Sequence, residues 1–455
     1  MEEIDFIFHG DRSGTGPMTW GQREQWISIC KIAPEDARFN IPFLWNVADG
    51  VTVQKITDGL KRLVERHEAL RTRITGTVES PLQVVHRTGE YEISLRELPE
   101  TPHEQGEIYD QCNPSLSWGH VRELSGRRFD LTHEWPARFR ILLGPEKRPR
   151  WVCGAISHVA ADATAVGILE RDFNVLLGTG RKLFLSNSPY QPLDRAKYEN
   201  STSGKEFLTQ ALAHWKDSLR RFPPLSRGES RSHVDGDRFP RVSLYSKSLG
   251  EIAQQTAEQW GVWESAIFMA AFGQALLEMT KGDGFPMIVT SANRSGRLGD
   301  EYVGTIAQQG VALVSATTDF PGAVRELWRF LIRMPRHSSY DPVAVGELIA
   351  DSSDGLFESF DHFVNYRKAA SEVDSRELAG GFTGNRVFLP DDRVASTLLR
   401  FGLMIRSYGQ DAQSRLFYDS CYINRDSIKS MLLRMDDLIR EAGSADANRW
   451  NHADR

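Results

Sequence analysis

Long apolar runs are missing from this 455-residue chain, and none approaches the roughly 20 residues needed to cross a bilayer. No membrane role is expected on that ground. Cysteine is scarce. The four residues Cys30, Cys112, Cys153 and Cys421 are scattered with no C-x-x-C pair, which argues against a zinc site or a disulfide framework and fits a reducing cytoplasm. An excess of one charge is also lacking. The formal net charge of −6 is small for this length and gives no general attraction to nucleic acid or anionic membranes. Basic spots such as "RELSGRRF" are short, interrupted by acids, and read as solvated faces. The opening "MEEIDFIFHGDRSG" has no basic stretch followed by an apolar run, so no secretory signal is read there.

Several chemical signatures are absent too. There is no G-x-S-x-G elbow, no Walker loop and no strand-linked G-x-G-x-x-G. The segments "HEALR", "HEQGE" and "HEWPA" lack the second histidine, four residues on, that a zinc helix needs. No metal site is expected. What remains is general acid–base chemistry on substrates that arrive already activated.

What is present is the makeup of an ordinary globular protein, 40% hydrophobic and 25% charged. The length suits two domains of about 200 residues each. Apolar residues recur three and four apart in "GQREQWISICK" and "VQKITDGLKRLVERHEALR", and extended runs follow at "LQVVH", "ARFRILL" and "WVCGAIS". A helix is predicted from Ala163 to Leu177. The polar, proline-bearing stretch "LSNSPYQPLDRAKYENSTSGKE" holds no period and reads as the connection between halves. Beyond it come helices around "FLTQALAHWKDSL", "ESAIFMAAFGQALLEMT", "AVRELWRFLIRM" and "DSIKSMLLRMDDLIREA", with strands at "FPMIVTSA", "HFVNY" and "STLLRFGLMIRS". The expected architecture is mixed α/β, with one lobe over residues 1–185, a second over 186–442, and a frayed tail over 443–455.

One stretch carries candidate chemistry: "WVCGAISHVAADATAVGILERDF", Trp151 to Phe173. The run before His158 is apolar, so its strand is buried and the imidazole emerges where strand gives way to turn. A ring there can accept a proton from a bound hydroxyl or amine near neutral pH. Asp162, four residues on, lies across the turn and can serve as the N-cap of the next helix. Small residues at Ala160, Ala161 and Ala163 keep the space before the ring open. Ser157 can hydrogen-bond the ring or fill the strand end, but strand neighbours point to opposite faces, so it is no nucleophile. On this stretch alone a satisfied structural histidine is the better reading.

The wider pattern changes that. The stretch resembles the His-His-x-x-x-Asp-Gly motif of condensation domains from nonribosomal peptide synthetases, in the chloramphenicol-acetyltransferase-like superfamily. Other segments match in the same order: "MTWGQREQW", "RHEALRTRI", "RRFDLTHEWPARFRILL", "MIVTSANRSGR", "YVGTIAQQGVALV", "FVNY" and the final helix. The resemblance implies two acetyltransferase-like lobes forming a V around a central tunnel. It implies that His158 faces the substrates, and that Asp162 supports the site structurally by pairing with an arginine, for which Arg294 is the match. Ser157 stands where the family has its first histidine, and Ala163 where it has glycine, a change that would narrow the turn or shift helix entry. Gln308 and Gln309 stand where Asn-Thr is usual and are assigned, with Ala163, to the tunnel wall.

The implied activity is that of a free-standing acyltransferase in natural-product biosynthesis. It would join an acyl or aminoacyl thioester, held on the phosphopantetheine arm of a carrier protein acting in trans, to an amine or alcohol acceptor that is small or carrier-bound. The chain itself would bind no cofactor. The rival is a degenerate module that recruits a tailoring enzyme or a carrier protein, which the Ser157 and Ala163 departures keep open. An epimerase-like or coenzyme A-dependent member is a weaker match, and no Asp-Phe-Gly-Trp-Gly stretch is present.

Overall fold

The structure is a computed structural model that describes residues 2–444 apart from 33, 99–115, 181–184, 187–188, 222–236, 296, 317–318, 353–361, 369–383, 390–391 and 394–400. Cys112 and residues 445–455 of the expected tail therefore lie outside the described residues.

The first half contains β1 (Glu2–His9), β2 (Gly14–Pro17), α1 (Trp20–Lys31), β3 (Asn40–Asn46), α2 (Val53–Arg66), β4 (Thr72–Gly76), β5 (Pro81–Val85), β6 (Thr88–Glu97), α3 (Leu116–Ser125), β7 (Ala137–Leu143), β8 (Pro149–Ser157) and α4 (Ala163–Leu177). Five strands form a mixed sheet in the order β1-β6-β7-β8-β3, in which only β6 and β7 are parallel neighbours. On α2 the buried positions Ile56, Leu60, Leu63 and Val64 recur at helical spacing, and with Ile168, Leu169 and Phe173 of α4 they pack on Phe43, Ile93, Phe139, Ile141 and Val152 of the sheet. Strands β2, β5 and β4 make a small side sheet.

The "RHEALRT" segment is part of this framework. Helix α2 stops at Arg66, where the sequence pattern had carried it to Arg71, and a single 3₁₀ turn over Glu68–Arg71 follows. There His67 Nε2 lies 3.0 Å from Asp172 of α4, and the Arg66 guanidinium donates to the same carboxylate at 3.2 Å. Buried Arg71 donates to the carbonyls of Arg12 and His86, each at 2.7 Å.

The second half contains α5 (Pro192–Glu199), α6 (Thr202–Arg221), β9 (Pro240–Ser246), α7 (Leu249–Trp260), α8 (Glu264–Thr280), β10 (Gly284–Ser291), α9 (Arg297–Asp300), β11 (Gln308–Ser315), α10 (Phe320–Arg333), α11 (Pro342–Ser352), β12 (His362–Lys368), β13 (Arg386–Phe388), β14 (Asp392–Arg393), β15 (Phe401–Ser407), β16 (Ala412–Tyr418) and α12 (Arg425–Ser444). Its larger sheet runs β11-β10-β12-β15-β16-β9-β13, with β14 also on β9. Strands β10, β12 and β15 are parallel, so their carboxyl ends lie at one edge. One face of this sheet (Met287, Val289, Val364, Leu403, Ile405, Leu416) packs on Phe268, Phe272, Leu276, Leu432, Met435 and Ile439 of α8 and α12. Residues at the alternate positions point the other way.

Helix α5 corrects the reading of the connecting stretch as aperiodic. Eight residues suffice because Pro192 occupies the first turn and Gln191 and Asp194 cap it reciprocally. Gln191 also ties the helix to the first half, donating to Arg66 O at 2.9 Å and accepting from Glu68 N at 3.1 Å. Helix α12 includes Gly443 and Ser444, the first two residues of the expected tail. No helix of the described residues is long and apolar enough to cross a membrane.

Candidate active site

Strand β8 is buried from Val152 to Ser157 and ends there, so the next residue, His158, opens the turn into α4. Ser157 closes that turn. Its carbonyl accepts from the amides of Ala160 at 2.9 Å and Ala161 at 3.3 Å, and its hydroxyl accepts from Val159 N at 3.4 Å. The serine therefore shapes the turn and makes no bond to the neighbouring ring.

The backbone of His158 is held from both halves. Its amide donates to Phe39 O at 2.8 Å, and its carbonyl accepts from the hydroxyl of Thr305. The half-buried ring meets Phe39 edge-on, with centroids 6.4 Å apart, and its Nδ1 is buried with no hydrogen-bond partner among the described residues. Burial pushes the imidazole pKa below its ordinary value. The charge of Arg367 pushes the same way, while the residue's own backbone carbonyl, close to the ring, and the charge of Asp162 oppose it without reversing the direction. The ring is therefore neutral at physiological pH, with a lone pair free to accept a proton.

Asp162 caps α4, its carboxylate accepting from Ala165 N at 2.9 Å. The same group accepts from Arg294 Nη2 at 2.6 Å and from the amides of Ile306 and Ala307 at 3.2 and 3.3 Å. Arg294 in turn donates to the carbonyls of Tyr302 at 2.8 Å, Leu298 at 3.0 Å and Gly304 at 3.1 Å. The arginine reaches this position because Asn293 turns the chain after β10 with φ +52, a conformation asparagine tolerates, and donates to the carbonyls of Ile306 and Ser338. Segment 302–307 is thus stitched across the first half, and Val303 is buried in the first half's core.

The stitch depends on a close approach. A Cβ on Gly21 of α1 would overlap Thr305 O and lie 2.9 Å from Ile306 Cα, so only glycine fits without moving the backbone. Ala163, by contrast, is the first residue of α4 and not among the residues with positive φ. Alanine is therefore accommodated at the helix entry without backbone strain.

Gln308 and Gln309 start β11 and separate in role. Gln308 is 1% exposed, and both ends of its amide are engaged. It donates to Glu24 at 2.8 Å and Tyr340 O at 2.9 Å, and accepts from Tyr340 N at 3.1 Å. It is therefore a buried joint between α1 and the second half rather than a wall of open space, which corrects the tunnel assignment for this residue. Burial lifts its partner Glu24 to a pKa of about 7. Gln309 is half-buried beside Thr290 of β10.

Two residues were missed from sequence. Arg367 is the sixth of seven residues in β12, and Arg406 the sixth of seven in β15; the strands pair in parallel register with the two arginines opposite each other. Burial lowers the pKa of Arg367, with the Arg406 charge adding to it and Asp162 opposing. The segments "HFVNYRK" and "FGLMIRS" share an arginine at one position, but nothing in the chain announces that they are neighbours. Among the described residues no group of three or more histidines, cysteines or carboxylates is placed to hold a metal.

Comparison with known proteins sets this geometry in a class. The whole fold superposes on the condensation domain that mediates chain release from the enacyloxin polyketide synthase, with a TM-score of 0.70, 14% identity, and coverage of 96% of this chain and 84% of that one. It also superposes on the X-domain from teicoplanin biosynthesis solved with OxyB, with a TM-score of 0.66, 18% identity, and coverage of 95% and 94%. These likenesses establish the acetyltransferase-like condensation fold. Residues 13–395 match the family model of the condensation domain. The chain belongs to the condensation-domain family. Among curated relatives it is 24% identical over 286 residues to the chondramide synthase of Chondromyces crocatus, and 22% identical over 337 residues to a linear gramicidin synthase of Brevibacillus parabrevis. The matches cover 61% and 72% of this chain but only 7% and 6% of those much longer proteins.

Proposed function

We propose that this chain is a condensation-type acyltransferase of nonribosomal-peptide or related natural-product biosynthesis. It transfers an acyl or aminoacyl group from the phosphopantetheine thioester of a carrier protein, supplied in trans, to an amine or alcohol, giving an amide or ester. The observation that carries the reading is His158: a half-buried ring of lowered pKa at a strand end, held between Phe39 of the first half and Thr305 of the second. The lobes, divided near residue 185, would leave a passage beside that ring, with Ala163 and Gln309 on its wall.

In this reaction the acceptor's N–H or O–H lies against the imidazole, which takes the proton as the nucleophile adds to the thioester carbonyl. Collapse of the tetrahedral adduct expels the thiolate of the arm, and the proton returns to that sulfur. A thioester is already activated, so alignment of the two reactants supplies most of the rate and the base contributes about 10²- to 10⁴-fold. Asp162, Arg294, Ser157 and Thr305 are positioning residues that hold the turn bearing the ring.

The test is product formation, by intact mass, from acyl-loaded carrier protein and a panel of amines and alcohols. His158→Ala should lower the rate about 10²-fold or more at unchanged thermal stability. The wild-type acid limb should fall below pH 6.5, since the lowered pKa keeps the base free to lower pH. A His158→Ala protein with full turnover refutes the mechanism. Absence of turnover with every acceptor, together with specific capture of a tailoring oxidase, would favour the docking alternative.

A further inference from the structure

Strands β12, β15 and β16 carry Arg367, Arg406 and Gln413 in one lateral row, each opposite the next in the ladder. Their alternation with the core residues Val364, Leu403, Ile405 and Ala412 turns all three away from the helices, toward the face on which Arg367 acts electrostatically on His158 and Asp162. Neighbouring strands lie about 5 Å apart, so two guanidinium groups sit side by side. Neither has an ion-pair or hydrogen-bond partner among the described residues. Gln413 is 2% exposed, and its Nε2 is a buried donor with no acceptor among those residues, while its Oε1 takes only a 3.4 Å bond from Tyr408.

Such a row is unfavourable as it stands. Like charges repel, and a desolvated donor without an acceptor costs what its lost hydration was worth. Three other arginines with buried side chains meet carbonyls or carboxylates: Arg71 has two carbonyls, Arg140 has Glu123, and Arg294 has Asp162 and three carbonyls. Two guanidinium groups and the free amide donor of Gln413, aligned across three strands at the carboxyl end of a parallel pair, match the lone pairs of a planar anion.

We infer that Arg367 and Arg406, with Gln413, form a carboxylate-binding subsite beside His158, so that one of the two reactants carries a free carboxylate near its reacting atom. The inference rests on the acyl-transfer reading for the identity of the reactants. The phosphodiester of the carrier arm is not the occupant, because it lies a full pantetheine chain away from the thioester that must meet His158. An acid borne by the acceptor and an acid borne by the acyl group are the two sources of this chemistry, and turnover separates them.

Binding is measured first on the full chain by calorimetry with benzoate and succinate, against benzamide and succinamide. Carboxylates should bind and amides should not, and Arg367→Gln and Arg406→Gln should each weaken carboxylate binding roughly 10- to 100-fold, as expected for loss of a charged hydrogen bond. Removing one of two repelling charges should leave the melting temperature no lower than in the parent. Carboxylate binding unchanged in both variants, or a drop in melting temperature as large as that of Arg294→Gln, overturns the subsite. Turnover is then compared for an acidic and an amidated acceptor with butyryl-loaded carrier, and for succinyl- against butyryl-loaded carrier with one neutral amine. A preference for the acid in either pair that both substitutions abolish supports the subsite and names its source. Turnover indifferent to the carboxylate in both pairs sinks it while leaving acyl transfer intact. Arginine-dependent carboxylate binding with no turnover in any pair keeps the subsite and removes acyl transfer.

Discussion

Replacing Asp162 with alanine removes the helix cap on Ala165 and the anion that faces Arg294, and strips two amides, of Ile306 and Ala307, of their acceptor. The cap is worth about 1 kcal/mol. Breaking a buried pair from one side costs about 3–5 kcal/mol, because the remaining charge stays buried; here both side chains of the pair are at most 6% exposed. The sum, about 4–6 kcal/mol, is comparable to the whole stability of many proteins. Arg294→Met should cost less, since three amides still hold the carboxylate, and the double variant should recover part of the loss, with a coupling of about 2 kcal/mol. Urea denaturation followed by tryptophan fluorescence gives the cycle, and turnover of the surviving fold is read in parallel. Single and double variants that are additive within about 0.5 kcal/mol refute the buried-pair account. An Asp162→Ala protein of full stability and no activity would show that the carboxylate takes part in the chemistry.

Two further predictions concern the joints between the halves. Glu24 is raised to about 7 by burial, so the folded state holds a proton the unfolded chain releases near 4.5; that contribution is present below pH 4.5 and is lost as pH rises through 7. Glu24→Gln keeps an acceptor for Gln308 and should gain about 2–3 kcal/mol over the parent at pH 8 and nothing below pH 4, measured as urea midpoints at both values; an equal gain at both values contradicts the protonation account. Gly21→Ala forces a methyl against Thr305 and Ile306 and should cost about 1–3 kcal/mol with a fall in kcat, since Thr305 holds the His158 carbonyl. Unchanged melting temperature and kcat would mean that this contact is slack.

Local rules carried far in this chain. Helices α4 and α8 fall on the expected residues, because α4 has a buried stripe, α8 is an apolar run buried nearly all round, and both have definite ends: the Asp162 cap and Gly178 for α4, and a left-handed Lys281 after α8. The turn holding His158 was legible from its apolar strand, small residues and aspartate. Strands with one polar face, such as β1 and β16, were passed over although β1 alternates cleanly. Helix α5 was hidden by its initial proline and short length. What no local pattern could reveal was proximity across the chain. The meeting of Arg294 with Asp162 was legible only through the family resemblance, while the engagement of Gln308 with Glu24 and the pairing of Arg367 with Arg406 follow from strand order, which is set by packing far from each residue.

The stitch at residues 302–307 has a consequence for biogenesis. On the ribosome, the strands and helices of residues 2–177 emerge more than a hundred residues before Arg294 and Val303 do. Until then Asp162 has no guanidinium to face, and the slot that Val303 fills stands empty. The amino-terminal half gains its last contacts only once residues 294–307 have been made.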